Sequence, residues 1–80
     1  MDSNEALNLI KKALNATNAD FSEESINLDT DLIFEGILDS LDAMSFLFEL
    51  EQIIDKKIIE IDEDFDDFKV KNFINILENY

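Results

Sequence analysis

The chain contains no proline and one glycine, Gly36. This constrains the fold more than any other feature. A compact all-β protein must reverse direction at every hairpin and draws on glycine and proline to do so. Without them, the bulk of the chain is expected to be helical. Its 80 residues suffice for one small domain spanning 1–80 and not for two.

Apolar spacing locates the helices. In "SNEALNLIKKALNAT", residues 3–17, Leu7, Ile10 and Leu14 fall at i, i+3 and i+7, with Ala6 and Ala13 beside them. Asp2 and Glu5 have capping-box spacing, and Ser3 is an equally good cap. In "SLDAMSFLFELEQIID", residues 40–55, the stripe is Ala43, Leu47, Leu50 and Ile54, widened by Met44 and Phe46. A last helix over 69–79 sets Val70, Phe73, Ile74 and Leu77 at i, i+3, i+4 and i+7. Residues 62–68 are expected to make one short turn of helix carrying Phe65 and Phe68, after a short extended run through Ile58, Ile59 and Ile61. The sum is an all-α bundle of three main helices and one short one.

Residues 18–39 lack helical periodicity and are rich in Asn, Asp, Ser and Thr, as a loop would be. A loop this long in a compact domain is unusual and often functional. Phe21, Ile26, Leu28, Leu32, Ile33 and Phe34 are expected to pin it to the core. Gly36 is expected where the backbone adopts a conformation that other residues dislike, or where chains approach closely.

The residue types that are missing narrow the function. There is no cysteine, hence no disulfide and no thiolate metal site. There is no histidine, which removes the commonest general base and metal ligand and makes a Ser-His-Asp triad within the chain impossible. No catalytic residues are expected. Twenty acidic and six basic residues give a formal net charge of −14. Such a field repels nucleic acid and anionic membrane surfaces, so partners should be cationic. The acidic runs do not form calcium loops. Counting from Asp29 puts Ile33 and Phe34 at loop positions 5 and 6, and counting from Asp62 puts Asp67 at 6 and Phe73 at 12, where glycine and glutamate are needed. No specific metal site is therefore expected. With no secretory signal and no membrane-length apolar run, a soluble, cytoplasmic, monomeric protein is expected.

"GILDSLDAM", residues 36–44, carries the candidate site. Asp39 and Ser40 are both favoured N-cap types, and a capping Ser40 would contribute about 1 kcal/mol. A given Asp-Ser-Leu tripeptide arises by chance at roughly one position in a few thousand, so its setting matters more than its occurrence. Here a long loop ends in the lone glycine, and the serine opens the central amphipathic helix. A helix N-terminus leaves backbone N–H groups free and favours an anion, which suits a phosphodiester on the Ser40 hydroxyl.

These features resemble the acyl carrier proteins over nearly the whole chain. "LDTDLIFEGILDSLDAMSFLFELEQIIDKKI" is similar to the family's passage from the loop into helix II, and "DDFKVKNFINILE" to its passage from helix III to helix IV. The resemblance implies a four-helix bundle of the acyl-carrier type. Ser40 would bear a 4′-phosphopantetheine arm, with Asp39 and Leu41 as flanking motif residues. Asp42, Met44, Glu49 and Glu51 would lie on the segment presented to partner enzymes. A phosphopantetheinyl transferase would attach the arm from coenzyme A with magnesium. Acyl-loading and acyl-processing enzymes with basic docking patches would then read the acidic surface.

The chain departs from the fatty-acid carriers of that family. Gly36 stands four residues before the serine where three is frequent, Ser45 and Gln52 replace frequent acids, and Phe46 and Phe48 are bulkier than the usual aliphatics. The departures imply a specialised pathway with its own enzymes. The alternatives are a D-alanyl or aminoacyl carrier of the same fold, and an unmodified acidic adaptor in which Ser40 is only a cap.

Overall fold

The computed structural model describes residues 1–17, 21–59, 61 and 65–80. Three α-helices are present among them: α1 (Ser3–Ala16), α2 (Ser40–Ile54) and α3 (Val70–Leu77), with one 3₁₀ turn at Glu23–Ser25. The radius of gyration is 11.2 Å, which is compact for a chain of this length.

Helix α1 begins where Asp2 caps it, its carboxylate accepting the Glu5 backbone N–H at 2.8 Å. The cap is thus Asp2 and not Ser3. Ala6, Ile10, Ala13 and Leu14 are buried along one face. The two alanines keep that face low, and α1 packs against both α2 and α3. Helix α3 buries Val70, Phe73, Ile74, Ile76 and Leu77 along one broad face and exposes Lys71 and Asn75 on the other. Helices α2 and α3 meet through their side chains, with the Phe46 ring edge-on to Phe73 at 5.2 Å. Phe65 and Phe68 extend this aromatic cluster, each within 5.6 Å of Phe73.

The short helical turn expected over 62–68 lies partly outside the described residues, and residues 65–68 form no helix. The short extended run expected through Ile58, Ile59 and Ile61 is instead a turn, the Ile61 N–H donating to the Ile58 carbonyl at 3.1 Å; Ile58 is fully buried while Ile59 points to solvent. Two side chains hold this segment. The Glu51 carboxylate accepts the Ile58 N–H at 2.7 Å, and the Tyr80 hydroxyl accepts the Ile59 N–H at 3.1 Å.

The long loop between α1 and α2 is pinned as expected, by three of the six side chains foreseen for it and by Leu38. Ile26, Leu32 and Leu38 are buried and Phe21 packs at the core's edge, whereas Leu28, Ile33 and Phe34 are exposed. Backbone bonds replace the missing anchors. Val70 donates to the Thr30 carbonyl at 2.8 Å, Leu32 to that of Phe68 at 2.9 Å, and Lys71 to that of Leu28 at 3.2 Å. Thr30, the buried polar residue of the loop, has its hydroxyl satisfied: it donates to the Ser25 carbonyl and accepts the Asn27 N–H, both at 3.1 Å. These bonds hold the chain that leads into α2.

Candidate functional site

The chain enters α2 through a tight turn. The Asp31 carboxylate accepts the N–H groups of Ile33 and Phe34 at 3.0 and 2.9 Å. Glu35 donates to the Asp31 carbonyl and Gly36 to the Ile33 carbonyl, both at 3.0 Å. Gly36 has φ +77°, the left-handed conformation its sequence position suggested, with open space where a Cβ would lie. Leu38 then donates back to the Leu32 carbonyl at 2.9 Å and buries its side chain. The start of α2 is therefore fixed from both sides.

Asp39 is the N-cap of α2. Its backbone is extended, its carboxylate accepts the Asp42 N–H at 2.7 Å, and its carbonyl accepts the Ala43 N–H at 2.9 Å. Ser40 is the first helical residue, exposed, and its hydroxyl makes no hydrogen bond to the described residues. Of the two cap candidates in the sequence, Asp39 takes the role and Ser40 does not. The longer Asp39 side chain, one residue earlier, reaches the open N–H first, and the serine is left over. The N–H groups of Ser40 and Leu41 likewise have no acceptor among the described residues, as the geometry of a helix start dictates.

Ser40 opens onto a groove of about 870 Å³. One wall is α2, through Ala43, Met44, Leu47 and Phe48. Ile61, Phe65 and Phe68 also line it, as do the turn residues Ile33 and Phe34. Carboxylates of Asp31, Glu51 and Asp66 and the Lys57 ammonium complete the lining. The groove is lined mainly by apolar side chains, with three acidic residues and one lysine among them.

Of the other candidate residues, Leu41 and Met44 are exposed, next to and within this groove respectively. Asp42 and Glu49 are half-buried on α2 and do not line the groove. Glu51 lines it, but its carboxylate is committed inward to the Ile58 N–H. Ile33, Phe34, Phe48 and Phe65 were not anticipated as site residues. The one hint in the sequence was the nearness of Ile33 and Phe34 to the lone glycine. Phe46, grouped with Phe48 by size, is fully buried in the core instead.

No group of three or more acidic residues among those described converges as a metal site would. No helix among them is long and apolar enough to cross a membrane. Compared with known protein families, curated proteins and solved structures, the chain matches none.

Proposed function

We propose that this chain is a carrier protein of the acyl-carrier type, its four-helix pattern completed by a short third helix, and that Ser40 is the attachment point of a 4′-phosphopantetheine arm. The observation that supports this most directly is the state of the Ser40 hydroxyl. It is exposed at the first position of α2, capping is performed by Asp39, and no hydrogen bond to the described residues engages it.

The residues present suit the arm. A phosphodiester on Ser40 Oγ carries a negative charge, and the positive end of the helix dipole and the N–H groups of Ser40 and Leu41 favour an anion there. When bound, the arm supplies a terminal thiol on which an acyl or aminoacyl group is held as a thioester. This chain brings no thiol of its own. Asp39 holds the start of the helix so that Oγ stays presented. The neighbouring groove offers an apolar cargo a surface outside the core, where the Phe46 and Phe73 rings pack edge to face.

The chain has no histidine to act as base, so removal of the Ser40 proton falls to the modifying enzyme, a phosphopantetheinyl transferase using coenzyme A and magnesium. Leu41, Met44 and Phe48, exposed at i, i+3 and i+7 along α2, form an apolar strip on an acidic surface. Loading and processing enzymes with basic, partly apolar faces fit such a strip, and the net charge speeds their approach. An unmodified acidic adaptor would use the same strip but would not need the Ser40 hydroxyl.

A fluorescent coenzyme A analogue separates the two. With a transferase present, the carrier becomes labelled and its Ser40→Ala variant does not. An unlabelled chain, even with the transferase of its own organism, would favour the adaptor.

A further inference from the structure

Phe34 is the most exposed large apolar side chain described, with 89% of its surface open to solvent. The backbone that carries it is held. Its own N–H is held by the Asp31 carboxylate at 2.9 Å, the preceding N–H by the same carboxylate, and the turn is closed by Gly36 at positive φ. The turn is stapled to the core by Leu32 and Leu38 on either side of it. A ring held out by a built turn pays little ordering entropy when it is buried by something else, which is the condition for an interface anchor.

The charge around the ring identifies what buries it. Asp29, Asp31, Glu35 and Asp39 surround the turn in sequence, and the chain carries −14 overall. A second copy of the chain, or an anionic membrane, would be repelled. A protein surface with an apolar pocket rimmed by lysine and arginine fits. Because Phe34 and Ser40 border the same groove, a protein gripping the ring comes to rest over the serine.

We infer that Phe34, presented by the 31–36 turn, is the aromatic anchor by which the enzyme that modifies Ser40 holds this chain, inserting into an apolar pocket with a cationic rim. The inference rests on the carrier reading and adds to it a contact outside α2.

The test is steady-state modification of the full chain by the phosphopantetheinyl transferase of its own organism, with coenzyme A and magnesium, varying the concentration of the carrier. Phe34→Ala removes the ring. Gly36→Ala strains the turn without steric contact, since nothing lies within 4 Å of the added Cβ. Ile59→Ala removes an equally solvent-facing side chain that does not line the groove. The expected result is a rise in KM of about thirtyfold for Phe34→Ala, the scale of a lost hot-spot side chain, with kcat nearly unchanged. Gly36→Ala should show a smaller rise, and Ile59→Ala none.

If wild type is modified and Phe34→Ala matches it in KM, the anchor is overturned and the carrier reading stands. A rise as large for Ile59→Ala would also overturn the anchor. If wild type is not modified at all, both readings fall together. Concentration-dependent dimerisation lost in Phe34→Ala would assign the ring to a second copy of the chain and overturn the cationic partner.

Discussion

The Asp39 carboxylate accepts the Asp42 backbone N–H at 2.7 Å, and this bond decides how the neighbouring serine is read. With Asp39 as the N-cap of α2, the Ser40 hydroxyl has no hydrogen bond to the described residues. Asp39→Ala should therefore lower stability by about 1 kcal/mol, while Ser40→Ala should leave it within a few tenths. Urea unfolding of the two variants checks the order. Equal losses would return Ser40 to a capping role.

The two phenylalanines of α2, two residues apart, should behave as opposites. Phe46 is fully buried against Phe73, and Phe46→Ala should cost about 3–5 kcal/mol, a large part of the stability of so small a domain. Phe48 is more than half exposed, and Phe48→Ala should change stability by no more than about 0.5 kcal/mol. Denaturant midpoints compared at a common m-value report both.

Helix α2 ends on a strained residue. Asp55 has φ 55° and ψ 39°, the left-handed conformation, with its N–H and that of Lys56 turned back to the carbonyls of Gln52 and Glu51. A carboxylate here also faces the negative end of the helix dipole. Asp55→Asn keeps a residue tolerant of the left-handed region and removes the charge, so it should stabilise the fold by about 0.5 kcal/mol. A calorimetric melting temperature below that of wild type would count against this reading of the helix end.

With a formal net charge of −14, self-repulsion should weaken the fold at low ionic strength. Moderate sodium chloride, and magnesium at lower concentration, should raise the melting temperature. A gain of about 1 kcal/mol corresponds to about 4–8 °C in a domain of this size. A melting temperature flat from low salt into the magnesium range would contradict the repulsion argument.

Much of this architecture was legible in the residues. Helix α1 needed only the spacing of Leu7, Ile10 and Leu14, although Leu7 proved marginal to the core and Ala6 central. The inward face of α2 was harder to read. Apolar residues lie all around that helix, so periodicity alone could not separate buried Phe46 from exposed Met44 and Phe48. The loop misled in a similar way. Its apolar content announced contact with the core, but Leu32 was sorted from Ile33 and Phe34 by the Asp31 turn, a local hydrogen-bond pattern with no period. The groove was not legible at all. It is assembled from the 31–34 turn, α2, Ile61 and the 65–68 stretch, which come together only on folding. Ser40 stood out in the sequence by its place after the lone glycine and at a helix start, but the sequence could not say whether Asp39 or Ser40 would cap.

The central claim is that Ser40 carries a covalent arm. Its most direct test is the intact mass of the full chain after incubation with coenzyme A, magnesium and a phosphopantetheinyl transferase, beside a Ser40→Ala control. The account predicts a gain of one phosphopantetheine in the wild type and none in the control. An unchanged wild-type mass, repeated with the transferase of the chain's own organism, or an equal gain in the control, would contradict it.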